Sequence, residues 1–215
     1  MSAQIKFPVR VVIIITLLSV SYAILRYNIV GDVPWKDLPL YVLNKGIAFS
    51  SIILLTYSFS LSPLVNMGFS VSDKWLDSRK NVGITGFVFA FIHIFMSISI
   101  LNPNYYGIFF IDDGTLSLRG GLSLFGGILS FVLLWVYNIS FKTILNQDKK
   151  IKNVLTYRNF LIYGMLFSGV HLFFMGYTGW TTFYKWQGGL PPVSLISFIV
   201  FAFGYLINII GKKKK

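Results

Sequence analysis

The sequence predicts an all-α integral membrane protein, a six-transmembrane-helix bundle that forms one domain over residues 1–215. Three observations predict it. Of the residues, 55% are hydrophobic and only 12% charged, with a mean hydropathy of +0.70, whereas a soluble domain carries about 25% charged residues. The apolar residues gather into six runs, each near the ~20 residues that cross a bilayer core. The basic residues crowd into alternate connections between those runs, as the positive-inside rule requires.

The runs cover about residues 9–25, 40–60, 82–101, 122–139, 160–177 and 193–210. The first is too long for a removable signal peptide and lacks a small-residue cleavage site, so it reads as a retained helix. The second follows Lys36 and encloses Lys45, the third holds His93 and the fifth holds His171. The fourth follows Arg119, and the sixth follows Leu190, Pro191 and Pro192. Alternating the loops puts Lys6, Arg10, Lys74, Arg79, Lys80, Lys142, Lys149, Lys150, Lys152, Arg158 and Lys212 to Lys215 on one side. Arg26, Lys36, Lys45, Arg119 and Lys185 fall on the other, 14 basic residues against 5. Both termini are therefore expected in the cytoplasm. None of the seven aspartates falls well inside a run and glutamate is absent, which disfavours a transporter with buried midplane acids.

The formal charge of +12 is explained by topology rather than by nucleic acid. No Walker or G-x-G-x-x-G motif appears. Cysteine is absent, which removes disulfides, thiolate-held clusters and c-type haem attachment.

His93 and His171 are the only histidines. An ionisable side chain in a membrane helix is costly enough to be a functional hypothesis by default. His93 lies thirteen residues after Lys80, and His171 thirteen after Arg158, so the parallel third and fifth helices carry them at one depth. The stretches "KNVGITGFVFAFIHIF" (80–95) and "RNFLIYGMLFSGVHLF" (158–173) share the pattern [KR]-N-x-x-I-x-G-x-x-F-x-x-x-H-[IL]-F. Gly86 and Gly164 precede their histidines by seven residues, and Phe89 and Phe167 by four, placing them on the histidine's face.

Two imidazoles at one depth on facing helices suit a haem iron ligated on both sides, with Gly86, Phe89, Gly164 and Phe167 packing by the macrocycle. Zinc suits them less, since structural zinc takes four ligands. Occupied axial positions favour electron transfer. The competing reading is a pair of histidines buried for packing or bonded to backbone carbonyls. At about 1.5 Å rise per residue the ligands sit roughly 20 Å from the basic helix starts, in the outer half of the bilayer. An electron donor is then needed below, either a flavin at the inner mouth or a membrane quinol. Arg79, Lys80 and Arg158 gather where flavin phosphates would lie, though they read more readily as positive-inside charges, which need no ligand to explain them. Lys45 and Arg119 flank outer helix ends, where they would pair with haem propionates or snorkel to the interface.

The stretch "RKNVGITGFVFAFIH" resembles the membrane domain of the STEAP metalloreductases through Arg79, Lys80, Gly83, Phe87, Phe89, Ala90 and His93. The segments "HLFFMGYTGW" and Leu190 to Pro192 are similar to later parts of the same domain, so the resemblance spans about residues 79–210. The wider group is the ferric-reductase-like transmembrane domain, with the NADPH oxidases and the haem-binding membrane subunit of the bacterial periplasmic methionine sulfoxide reductase system.

The resemblance implies a single-haem b-type transmembrane cytochrome with His93 and His171 as axial ligands. Electrons would come from a cytoplasmic flavin (FAD or FMN), a flavoprotein reductase or a membrane quinol. They would leave at the outer face to a metal ion, oxygen or a redox protein. The chain lacks the NADPH-binding domain that metal-reducing STEAP enzymes carry, so it would be an oxidoreductase component relying on a separate reductase. By analogy it sits in a bacterial cytoplasmic membrane, with lipid as its surroundings and self-association left open. The alternative is a haem-free scaffold or assembly subunit of the same fold. A reporter active only in the cytoplasm is expected to be active when fused after Lys215 and silent when inserted at Gly114. The opposite pattern would reverse the topology.

Overall fold

In lipid, a chain must satisfy its own N–H and C=O groups, so apolar stretches of this length become helices. The computed structural model describes residues 3–139 and 158–211, with side chains over 6–139 and 159–211. Its helices are α1 (Ala3–Ile24), α2 (Leu43–Asn66), α3 (Asp73–Ser99), α4 (Leu118–Ile139), α5 (Arg158–Trp180) and α6 (Val193–Ile210). All six belong to stretches long and apolar enough to cross a membrane, which marks an integral membrane protein. A π-helical turn at Leu25–Ile29 extends α1, and another at Leu38–Val42 leads into α2. Lys142, Lys149, Lys150, Lys152, Lys212 to Lys215 and the Arg158 side chain lie outside the described residues.

Each expected run has its helix, and the largest difference is at α3, which begins at Asp73 rather than Val82. The added turns carry Lys74, Asp77, Arg79 and Lys80, so a search for apolar runs passes over them. They are held by side-chain contacts. Trp75 packs edge-on against Phe7 at 5.5 Å and at a 40° tilt against Tyr57 at 5.3 Å, and Tyr57 Oη lies 2.7 Å from Ser78 Oγ. Asp73 in the first turn adds favourable charge at the helix N-terminus.

Packing divides the bundle into two hairpins, α2 with α3 and α4 with α5, whose members contact each other most extensively. Helix α6 lies against both α2 and α5, while α1 covers α2 and α3. Between hairpins, α3 touches α4 only lightly. The loops sort to alternate ends. At one end Arg26 donates to the Pro191 carbonyl at 2.9 Å and Tyr22 to the same oxygen at 2.7 Å, and Tyr105 donates to Asp37 Oδ1 at 2.9 Å. At the other, Asn66 donates to the Gly211 carbonyl at 3.2 Å.

Outside the spans, the loop between α3 and α4 is self-ordered. Asp113 Oδ1 accepts from the Thr115 hydroxyl at 2.7 Å and its backbone N–H at 2.8 Å, which holds the carboxyl below its ordinary pKa. The hydrogen bond to Asp37 holds the Tyr105 phenol above its own.

Small residues let the helices approach closely, as is usual where lipid supplies no hydrophobic drive between them. A Cβ at Gly86 would sit 3.0 Å from Leu54 Cβ and 3.1 Å from the Leu55 nitrogen. Gly86→Leu is therefore expected to destabilise the α2–α3 hairpin by about 1–3 kcal/mol. Thermal unfolding in detergent checks this, with Gly107→Ala, where a Cβ meets nothing within 4 Å, expected to match the parent.

Candidate functional site

His93 on α3 and His171 on α5 meet across the gap between the hairpins. Their ring centroids are 6.3 Å apart and the ring planes lie at 68°. An imidazole nitrogen bonds a metal at about 2.0–2.1 Å. A five-membered ring with bonds of about 1.33 Å has a radius of about 1.1 Å. Two rings ligating opposite faces of one metal thus have centroids roughly 6 Å apart, the spacing seen.

Each imidazole is held at Nδ1 by its surroundings. His93 Nδ1–H donates to Asn44 Oδ1 at 2.7 Å, with Ser97 Oγ 3.3 Å away. His171 Nδ1–H donates to the main-chain carbonyl of Ser123 at 2.9 Å, and the Ser123 hydroxyl donates back to the His171 carbonyl at 3.2 Å. Amide and carbonyl oxygens only accept, so both rings carry their proton on Nδ1. Nε2 is left with a lone pair, and neither Nε2 has a hydrogen-bond partner among the described residues.

The α4 backbone makes the second bond possible. A Cβ at Gly127 would lie 3.0 Å from His171 Nδ1, and one at Gly126 would lie 2.9 Å from the His171 backbone nitrogen. Gly126 lets α5 come close, and Gly127 lets the imidazole reach the Ser123 carbonyl one turn earlier.

The histidines border a cavity of about 300 Å³, within the range of small-molecule sites. Its walls use the same register on both helices. Ala90 and Ser168 lie three residues before the histidine, Ile94 and Leu172 one after, and Ser97 and Met175 four after. At 3.6 residues per turn these positions point about 40–100° to one side of the histidine, and the residue four before it points about 40° to the other.

That corrects the expectation for the flanking residues. Phe89 and Phe167 do not line the cavity, and Phe167 instead meets Phe125 edge-on at 6.4 Å. Gly86 and Gly164 do not line it either. Two turns below the histidines the hairpin partner occupies their face, with Leu54 and Leu55 against Gly86 and Leu134 2.9 Å from a Cβ at Gly164. The aromatic wall is supplied by Phe87 and Phe131, which are both lining residues and stack at 5.0 Å and 11°.

A second cavity, about 540 Å³, opens toward the α2–α3 turn. Arg79 and Lys80 line it together with Ser58, Ser62, Asn66 and Asn138, and it shares Leu55, Phe87 and Leu134 with the histidine cavity. Arg79 also donates to Ser62 Oγ.

The two expected outer cations differ. Lys45 Nζ stands over the rings of Tyr41 at 4.1 Å, Tyr27 at 5.1 Å and Tyr106 at 5.8 Å, and Tyr106 lines the histidine cavity. Arg119 is not a lining residue of either cavity. Its Nε, Nη1 and Nη2 donate to the Phe174 carbonyl, Thr178 Oγ1 and the Met175 carbonyl at 2.7, 2.7 and 3.1 Å, so it serves the end of α5.

Sequence reasoning passed over Asn44, Ser97, Tyr106, Ser123, Gly126 and Gly127. The available signals were a polar Asn inside an apolar run and the stretch "SLFGG" at 123–127.

Among the described residues no group of three or more histidines, cysteines or acids forms a chelate. Two imidazoles alone leave the remaining coordination positions of any metal held there to ligands that arrive with it. No protein-family model matches the sequence, and no curated protein does. Gly127→Val is expected to push the His171 ring off the Ser123 carbonyl. The ¹⁵N resonance of His171 Nδ1 checks this, moving from a hydrogen-bonded shift toward that of an unbonded N–H.

Proposed function

We propose that the chain is a single-haem b-type transmembrane cytochrome that passes electrons from a cytoplasmic flavin, flavoprotein or membrane quinol to an acceptor at the outer face. The observation carrying this reading is the pair of imidazoles 6.3 Å apart, each committed at Nδ1 and each offering Nε2. When bound, haem would supply a one-electron ferric/ferrous couple. The protein's part is to hold both ligands, to line the gap with apolar groups and to keep the ligands in a single tautomer. Such outer partners orient a ligand and raise its basicity.

Three features favour the rest of the reading. The Arg79 and Lys80 cavity offers cations for a flavin's phosphates on the side away from the tyrosine-caged lysine. Its shared wall of Leu55, Phe87 and Leu134 leaves little more than side chains between a donor there and the histidine gap. Lys45, beside the lining residue Tyr106, is the cation best placed for a haem propionate. With Nε, Nη1 and Nη2 all engaged, Arg119 is the poorer candidate. The acceptor class is a metal ion, oxygen or a redox protein, and a bacterial cytoplasmic membrane is the proposed setting.

Protein purified from haem-replete cells is expected to show a b-type band in its reduced-minus-oxidised spectrum. His93→Ala and His171→Ala should each remove nearly all of it. A colourless parent protein would sink this reading in favour of a haem-free scaffold.

A further inference from the structure

The two histidines are anchored by different kinds of acceptor, and this asymmetry has chemical content. Asn44 is 1% exposed on α2, a costly place for an amide unless its groups are hydrogen-bonded. Its Nδ2 donates to Ser97 Oγ at 2.9 Å and to Tyr106 Oη at 3.4 Å. Both hydroxyls accept from Nδ2, which leaves Oδ1 for the imidazole. Turned over, Nδ2 would donate to Nδ1 and the imidazole proton would sit on Nε2, where it would leave no lone pair for a metal. As it stands, Oδ1 is aimed at His93 from 2.7 Å.

His171 has no such device. Its acceptor is the Ser123 carbonyl, an oxygen that also belongs to the hydrogen-bond ladder of α4. No side-chain substitution removes that oxygen, while the Ser123 hydroxyl donates to the His171 carbonyl and also lies 3.2 Å from His171 Nδ1, a longer contact than the carbonyl's 2.9 Å.

Resting on the haem-ligand reading above, we infer that Asn44 is a positioning residue that sets the donor strength of His93 toward iron, making the two axial positions unequal. An acceptor on Nδ1–H makes Nε2 a stronger donor. A stronger donor stabilises the ferric form over the ferrous and lowers the potential. Asn44 acts through His93 alone, while Ser97 and Tyr106 keep its oxygen in place.

The test is a spectroelectrochemical titration of the purified full chain with haem bound, compared with three variants. Asn44→Leu removes the acceptor and is expected to raise the ferrous-to-ferric ratio at fixed potential about tenfold, an upward shift of about 59 mV for a one-electron couple. Asn44→Asp, nearly isosteric and a stronger acceptor, is expected to shift the potential downward. Ser123→Ala keeps the 2.9 Å main-chain carbonyl contact, loses only the longer hydroxyl one, and is expected to shift the potential far less than Asn44→Leu. A merely structural role would move both Asn44 variants the same way or neither, and that result overturns the inference, as does a Ser123→Ala shift as large as that of Asn44→Leu. If Asn44→Leu fails to retain haem, the sign of the Asn44→Asp shift decides alone. A parent chain that binds no haem overturns the underlying reading and this inference together. Haem-bound Asn44 variants with unmoved potentials overturn only this one.

Discussion

The structure turns on one constraint: two imidazoles, each tied at Nδ1 to a neighbouring helix, must stop about 6 Å apart in a medium that penalises every unpaired polar group. The answer is to give each ring an acceptor within its own hairpin. Asn44 on α2 holds His93 of α3, and the Ser123 carbonyl on α4 holds His171 of α5. Each hairpin thus carries one finished half of the site. Helix pairing fixes the rings internally, and the facing of the hairpins fixes their separation.

The same economy governs the other polar groups at that end of the bundle. Arg26, 6% exposed, is satisfied by the carbonyls of Leu190 and Pro191 and by Gln187 Oε1. Arg119 is satisfied by the carbonyls of Phe174 and Met175, and Lys45 by the faces of three tyrosines. Carbonyls and ring faces are neutral partners, so none of these contacts offsets a positive charge with a negative one. The field of these cations favours an anionic group there, such as a carboxylate on the rim of a bound ligand.

The number and placement of the spans were legible because hydropathy reports on lipid and on little else, and lipid decides where helices form. The early start of α3 was not, because its first turns are polar and are held by Phe7, Tyr57 and Ser78, contacts that no local window contains. The meeting of His93 and His171 was readable from equal spacing to the basic starts of two parallel helices. Which neighbours share their cavity was not. Spacing of four or seven residues identifies a face, but a face more than 100° wide is divided between a hairpin partner and the gap. Gly86 went to the hairpin partner and Ala90 and Ser97 to the gap. The roles of Asn44 and Gly127 depend on a second helix, so neither residue's chemistry could be read from its own segment.

Helix α6 is the one span that lies against both hairpins extensively, through α2 on one side and α5 on the other. Its Gly204 meets Thr56 of α2, and its Phe201 meets Gly169 of α5. Chains are made from the N-terminus, so this clasp emerges after both of the hairpins it joins. Without it, the light contact of α3 with α4 is the main helix packing between the two hairpins. The order of synthesis thereby leaves the facing of the two histidine-bearing hairpins to be fixed late, by a helix that does not itself line the cavity between them.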